Sequence, residues 1–331
     1  MDAPPAPPAG PLCTANSVHA AVPDELRELL HPVDGVEVSF YDPEDRDTIP
    51  GGGREVEVLA LPMIAGPWLK RLDEVPGLRA VVLSSAGYEH VLPHLPEGIT
   101  LANAVGVHDT ATAELALTLM LASQRYLPRH VLSQQAQTWD RSTPEGQPWR
   151  SLADSTVLVL GYGGIGRALT RRLLASECEV LAVASTDKPG DDLVDSVCGI
   201  THLPDLLPRA DILAISVPLT EETEGLVDAE ALALLPDGAL LVNVARGGVV
   251  DHEALLAECT SGRLRAALDV TDPEPLPDGH PLWSTPGVLV VPHVGGASPA
   301  SFPRMASYLQ GQLTAYRDSG RLEHQVAGPQ A

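Results

Sequence analysis

The sequence predicts an α/β protein built from two doubly wound, parallel-sheet units. Short apolar runs alternate with helical stretches in two series, one from Val22 to Asn103 and one from Val157 to Val291. The second series opens on Val157-Leu158-Val159-Leu160, a buried-strand pattern that runs straight into Gly161-Tyr162-Gly163-Gly164-Ile165-Gly166. The stretch from about Ala297 to Arg317 reads as a helix with too little sequence around it to fold alone, so it is expected to pack back on the first unit.

A chain of 331 residues is long enough for two ordinary domains. Hydrophobic content of 44% permits full cores, and 4% aromatic content means that Ala, Val and Leu build them. A net charge of −23 argues against nucleic acid and anionic membranes as partners, since like charges repel. Any anionic ligand then needs a local cation. Cys13, Cys178, Cys198 and Cys259 are scattered, with no C-x-x-C and no metal-ligand spacing, and read as reduced thiols of a cytoplasmic protein with no metal site. Residues 1–18 form a Pro/Ala-rich tail expected to be disordered, and they lack the basic and apolar regions of a secretory leader. No apolar run is long enough to span a bilayer.

In chain order, Pro23–Leu30 opens like a helix, with Pro and acids in its first turn. Val36–Phe40, Val56–Leu61, Leu78–Ser84 and Ile99–Asn103 follow as strands, with Gly51-Gly52-Gly53 as a flexible turn. Asp109 or Thr110 can cap a long helix from Ala111 to about Leu127, with Ala113, Leu117, Met120 and Leu121 near one face. A polar stretch with Trp139 and Trp149 leads to the glycine-rich strand. Val180–Ala184, Ile212–Val217, Ala239–Val244, Arg265–Asp269 and Val288–Val291 are further strands, and Pro299 and Pro303 confine the terminal helix to its later part.

The G-x-G-x-x-G turn sits between a strand and an amphipathic stretch (Ile165, Leu169, Leu173, Leu174), which gives each glycine a physical task. Gly161 permits the tight turn, Gly163 lets backbone N–H groups approach a pyrophosphate, and Gly166 lets helix and strand pack closely. The helix N-terminus then presents unpaired N–H groups and a positive dipole end to the phosphates.

Three later strands end in chemistry: Asn243-Val244-Ala245-Arg246-Gly247, Asp269-Val270-Thr271-Asp272-Pro273-Glu274-Pro275 and Val291-Pro292-His293-Val294-Gly295. Doubly wound sheets place ligands at such strand ends. An arginine can clamp a carboxylate with two parallel hydrogen bonds and polarise a neighbouring ketone. Hydride addition to that ketone leaves an alkoxide, which takes its proton from an acid titrating near neutrality, and a carboxylate behind an imidazole orients it. Singly, Arg246 could be a surface cation, Glu274 a loop acid and His293 a packed loop histidine. Together, beside a dinucleotide turn, they point to reduction of a 2-keto acid.

With these segments the chain resembles the NAD(P)-dependent D-2-hydroxyacid dehydrogenase family from about Val56 to Ala306, through Gly161–Gly166, Pro218–Thr223, Asn243–Asp251, Asp269–Pro275 and Pro292–Ser298. The resemblance implies a Rossmann NAD(P)-binding domain (residues 105–296) inserted into a flavodoxin-like substrate domain (residues 19–104 and 297–331). It implies Arg246 as the carboxylate and carbonyl clamp, His293 as proton donor and Glu274 as its partner. Ser85, Ala86 and Gly87 resemble the family's first substrate loop, which with Arg246 and His293 makes up the substrate set. For the cofactor it implies Thr110, Gly161, Tyr162, Gly163, Gly164, Ile165 and Gly166. To these it adds Ser185, Thr186, Val217, Pro218, Thr223, Val244, Ala245, Arg246, His293 and Gly295, with Asp269 holding the nicotinamide carboxamide. Glu114 resembles the acid that follows the family's cofactor-contacting threonine. A homodimer pairing through the long helix is also implied.

The chain departs from the family in three places. Ser216 stands where the family often has His before Pro-Leu-Thr. At the end of the second strand Ala184-Ser185-Thr186 replaces the NAD-type Asp, and Asp187 comes two or three residues late. His108-Asp109 stands where many members carry small or polar residues. Use of both NAD(H) and NADP(H), with a modest NADPH preference, is the expectation. A cofactor-sensing binding protein of the same fold, of the corepressor kind, is the competing reading.

Overall fold

The structure, a computed structural model, describes residues 17–45, 47–63, 67–143 and 148–329. The predicted tail up to Asn16, with Cys13, lies outside the described residues. Two compact units are present: residues up to Val107 together with those from Phe302 onward, and His108–Ser301.

In the first unit β1 (Val18–Pro23), β2 (Val36–Tyr41), β3 (Val58–Ala60), β4 (Ala80–Val82) and β5 (Thr100–Ala102) run parallel in the order β2-β1-β3-β4-β5. β1 corrects the sequence expectation twice. Val18 is strand rather than tail, and the helix expected over Pro23–Leu30 is a single 3-10 turn, Asp24–Leu26. Of Asp24–Leu29 only Leu26 is buried, so no packing supports a second turn. The β1 strand escapes a propensity reading because Ala20 and Ala21 are poor strand formers that its central position buries completely. Its buried His19 is satisfied on both ring nitrogens, by the Glu55 carbonyl at 2.6 Å and Ser39 Oγ at 3.0 Å.

The second unit begins with α1 (Asp109–Gln124) and α2 (Leu127–Gln135), separated by Tyr126 in the left-handed region at φ +50°. Neither Asp109 nor Thr110 is the cap. His108 holds the N-cap position without a side-chain cap bond, and Asp109 is the first helical residue. The buried face runs through Thr112, Ala113, Ala116, Leu119 and Met120, while Leu121 is exposed. Small residues on that face let α1 lie close against α3 (Gly164–Leu174), which shifts the contact away from the predicted leucine edge. The face of α3 shifts likewise. Gly166, Leu169, Thr170 and Leu173 are buried and Leu174 is exposed, because Gly166 must be the point of closest approach.

Around these helices stands the second sheet, made of β6 (Thr156–Leu160), β7 (Glu179–Ala184), β8 (Lys188–Pro189), β9 (Ser196–Gly199), β10 (Ile212–Ile215), β11 (Leu240–Asn243), β12 (Arg265–Leu268) and β13 (Val288–Val290). Its order is β8-β9-β7-β6-β10-β11-β12-β13, parallel except for the β8–β9 pair. The order reverses between β6 and β10, the switch point at which open α/β sheets bind ligands. The short α4 (Leu203–Leu206), α5 (Ala229–Leu234) and α6 (His252–Thr260) connect later strands.

The chain then returns to the first unit. α7 (Ser301–Ser319) sets Met305, Ala306, Leu309 and Leu313 among Ala20, Val58 and Ala80, and β14 (Gln325–Ala327) pairs antiparallel with β5. α7 starts before Pro303, earlier than expected, because a first-turn proline lacks only an N–H that needs no helical partner. Among the described residues Cys178, Cys198 and Cys259 are free, and no helix is long and apolar enough to cross a membrane.

Candidate active site

β6 ends in the glycine turn at the switch point. Gly161 has φ +106°, and a Cβ there would lie 2.7 Å from the Ser216 carbonyl carbon. Ser216 Oγ donates to the Gly161 carbonyl at 2.8 Å, so this departure from the family holds the turn in place. A Cβ on Gly166 would lie 2.0 Å from the Gly161 carbonyl oxygen, the close helix–strand approach that the motif predicts. At Gly163 a Cβ would meet nothing within 4 Å. Arg167 N–H makes an early α3 bond, to the Gly163 carbonyl at 2.9 Å, and the N–H groups of Gly164, Ile165 and Gly166 precede it at the open end of the helix. This cradle fits a dinucleotide pyrophosphate.

Carboxylates border the cradle on two sides. A Cβ on Gly164 would lie 2.0 Å from Asp109 Oδ2, so the Asp109 side chain rests on the first residue of α3. Burial raises the Asp109 carboxyl above its ordinary range, and the neighbouring His108 opposes this. On the other side Tyr162 Oη donates to Asp191 at 3.0 Å, while Arg167 pairs with Asp191 at 2.9 Å and Asp192 at 2.8 Å. Burial first, then the Asp191 hydrogen bond and charge, push the Tyr162 phenol up to about 12.

At the end of β7, Ser185 and Thr186 are exposed and Asp187 faces elsewhere. Its Oδ1 accepts the Gly199 N–H at 2.8 Å and lies 3.4 Å from His202 Nε2.

The three reactive strand ends are brought side by side by register, since Asn243 pairs with Leu268 and Leu268 with Val290. Asn243, fully buried, shapes the first. Its Oδ1 accepts the Ala245 N–H at 3.0 Å and its Nδ2 donates to the Arg246 carbonyl at 2.9 Å. Arg246 itself is partly exposed and donates from Nη1 to the Ala245 carbonyl at 2.7 Å. A Cβ on Gly247 would sit 2.1 Å from the Thr271 carbonyl oxygen, so only glycine lets this loop abut the next strand end.

Asp269 builds the floor of the third loop. Its carboxylate accepts the N–H groups of Val294 at 2.7 Å and Gly295 at 3.0 Å, and its carbonyl accepts the His293 N–H at 2.8 Å. Burial raises its pKa, against the pull of those two N–H groups. So held, His293 adopts φ +52° and sets Nδ1 2.5 Å from Glu274 Oε1. Both side chains remain open to solvent.

The structure thus joins His293 to Glu274, seats Gly295 on Asp269, and keeps Arg246, Val244 and Ala245 on the adjacent strand end. Val217 is buried beyond β10, before Pro218. The Thr223 hydroxyl is spent within its own turn, donating to the Pro218 carbonyl at 2.6 Å and accepting the Thr220 N–H at 2.8 Å. Thr110 is half-buried behind Asp109. Ser85, Ala86 and Gly87 belong to the first unit, after β4. Their carbonyls accept from the Ala104 N–H at 2.9 Å, Asn103 Nδ2 at 2.6 Å and Ser85 Oγ at 2.7 Å, respectively. Sequence reasoning missed the bracing role of Asn243 and the contact of Asp109 with Gly164. An amide side chain three residues before the arginine was the available signal for the first, and nothing local signals the second.

Residues 117–295 match the profile of the D-isomer specific 2-hydroxyacid dehydrogenase, NAD binding domain. The chain is 35% identical over 268 residues to D-3-phosphoglycerate dehydrogenase of Mycobacterium tuberculosis, covering 80% of this chain and 50% of that one. It therefore spans about half the length of that relative. It is 32% identical over 250 residues to hydroxypyruvate reductase of Thermotoga maritima, covering 74% of this chain and 79% of the relative. Among solved structures, the D-isomer specific 2-hydroxyacid dehydrogenase from Xanthobacter autotrophicus, in complex with NADPH and MES, is similar with a TM-score of 0.73 at 28% identity, covering 95% of this chain and 99% of that one.

Proposed function

The chain belongs to the D-isomer specific 2-hydroxyacid dehydrogenase family, and on that premise we propose that it transfers a hydride between a nicotinamide dinucleotide and a small 2-keto acid or D-2-hydroxy acid. The observation that carries this reading is the His293–Glu274 pair, held one strand away from the Arg246 loop in the sheet that carries the glycine cradle. A bound nicotinamide supplies the hydride. Arg246 clamps the substrate carboxylate and polarises its ketone. Because Glu274 takes up Nδ1, the Nε2 atom of His293 is left to deliver a proton to the developing alkoxide. Asp269 holds the His293 loop and faces the carboxamide end of the cofactor, Gly161–Gly166 carry its pyrophosphate, and Ser85–Gly87 contribute backbone N–H groups to the substrate carboxylate. Activity with glyoxylate, hydroxypyruvate, pyruvate, phenylpyruvate and 2-ketoisocaproate, each with NADH and NADPH, tests the reaction class. No turnover with any pair sinks it.

The cofactor reading is use of both dinucleotides with a modest preference for NADPH. It is supported by the missing strand-end acid, by exposed Ser185 and Thr186, and by Asp187 being engaged with Gly199 and His202. Ala184→Asp should move the preference toward NADH. A wild type that favours NADH by more than about tenfold in kcat/KM, roughly 1.4 kcal/mol, contradicts it.

The chain is further read as a cytoplasmic homodimer. Exposed Leu127, Val131, Leu132, Trp139 and Trp149 form an apolar surface on and after α2, more than a solvated face needs. A hollow of about 390 Å³ lined by Tyr126, Leu264 and Val288 adjoins that surface. The three cysteines among the described residues are free thiols, which supports the compartment.

A further inference from the structure

Asp109 places a negative charge where the cradle needs none. Its carboxylate fills the space that a side chain at position 164 would occupy, with Oδ2, Cγ and Oδ1 at 2.0, 2.6 and 2.8 Å from an ideal Gly164 Cβ. It thus approaches α3 from the flank and leaves the first-turn N–H groups at the helix end. The positive end of the helix dipole is then shared between this fixed carboxylate and any phosphate that docks on the same turn. Arg167, the cation of that turn, is already paired with Asp191 and Asp192.

We propose that Asp109 determines cofactor affinity: it opposes the pyrophosphate at the α3 N-terminus and weakens NADH and NADPH binding alike. This rests on the reading that Gly161–Gly166 carry the dinucleotide. The carboxylate stabilises the cofactor-free turn by complementing the dipole, and docking of the pyrophosphate must overcome that arrangement. The adenosine 2′ position is read at the end of β7, by other residues, so the choice between the two cofactors does not depend on Asp109. Loose binding suits an enzyme that must release its cofactor after each turnover.

The test is titration of the full chain with NADH and with NADPH, followed by nicotinamide fluorescence, in wild type, Asp109→Asn and Asp109→Ala. Thermal unfolding of each protein is recorded with and without cofactor. Asn keeps the shape and Ala removes it, so a shared effect belongs to the charge. Both variants should bind both cofactors about tenfold more tightly, the gain expected when one like charge beside a phosphate is removed. The NADPH-to-NADH ratio should stay unchanged, and the cofactor-induced rise in Tm should grow. Folded variants that bind equally or more weakly overturn the proposal, as does a gain confined to one cofactor. Failure of wild type and variants alike to bind either dinucleotide overturns the cofactor reading itself, and this proposal with it.

Discussion

Nδ1 of His293 lies 2.5 Å from Oε1 of Glu274, although 19 residues separate them in the chain. The carboxylate accepts, so Nδ1 carries the donated proton and Nε2 is the ring nitrogen outside this bond. Two neighbouring strand ends hold the pair, and the left-handed backbone of His293, φ +52°, is held by the N–H bond to the Asp269 carbonyl.

His293→Ala should lower kcat by roughly 10²-fold while leaving cofactor Kd near its wild-type value. Glu274→Gln keeps an acceptor for Nδ1–H and should cost less than Glu274→Ala. Steady-state kinetics with one good keto acid checks this, and wild-type turnover in His293→Ala removes the assigned role.

Asp269→Asn exchanges a group that accepts two N–H bonds for one that accepts with a single oxygen and brings donors toward Val294 or Gly295. One N–H is left facing a donor, a loss of about 1–3 kcal/mol. The His293 loop should loosen, lowering kcat by about tenfold with secondary structure intact by circular dichroism. Equal kcat in variant and wild type would show that the loop holds its shape without the carboxylate.

Glycines of the same motif should behave oppositely. Gly166→Ala drives a Cβ to 2.0 Å from the Gly161 carbonyl and should destabilise the fold by about 1–3 kcal/mol, visible as a lowered Tm without cofactor. Gly163→Ala meets nothing within 4 Å and should leave that Tm unchanged, yet weaken cofactor binding by crowding the cradle. A cofactor Kd in Gly163→Ala equal to that of wild type would place the pyrophosphate elsewhere.

Burial and Asp191 raise the Tyr162 phenol from its ordinary 10.0 to about 12. The fold therefore holds this proton more tightly than the unfolded chain does. Its contribution to stability is complete below pH 10.0 and is lost as pH climbs through about 12. The tyrosinate absorbance titration of wild type minus that of Tyr162→Phe should show one group ionising near 12, and Asp191→Asn should move it down. A difference curve centred at the ordinary tyrosine value contradicts the Tyr162–Asp191 contact.

Val131→Glu and Leu132→Glu place charges on the exposed face of α2. Wild type should sediment as a dimer at micromolar concentration, and the double variant should shift toward monomer without loss of Tm beyond that due to dissociation. A wild-type monomer at that concentration refutes the pairing.

Local pattern was enough for much of this molecule. Apolar runs located β6, β7 and β10 to β13 to within a residue or two, because strands of a parallel sheet leave a near-continuous hydrophobic trace, most fully in β6 and β10 to β12, which are buried along almost their whole length. The spacing of Gly161, Gly163 and Gly166 announced the tight turn after β6, and the residue types at Arg246, Glu274 and His293 marked the strand ends that register sets side by side. Elements whose stability comes from their neighbours left no such trace. β1 is an alanine-containing strand made central by β2 and β3, α2 follows a left-handed Tyr126, and β14 is a three-residue edge. Which groups meet was decided only by the tertiary structure. Ser216 bonds Gly161 across 55 residues, Asp109 rests on Gly164, and Asp187 accepts the Gly199 N–H. Periodicity reports whether a residue is buried. It does not report what the residue is buried against, since that depends on strand order and helix packing and is set only when distant parts of the chain compete for the same space.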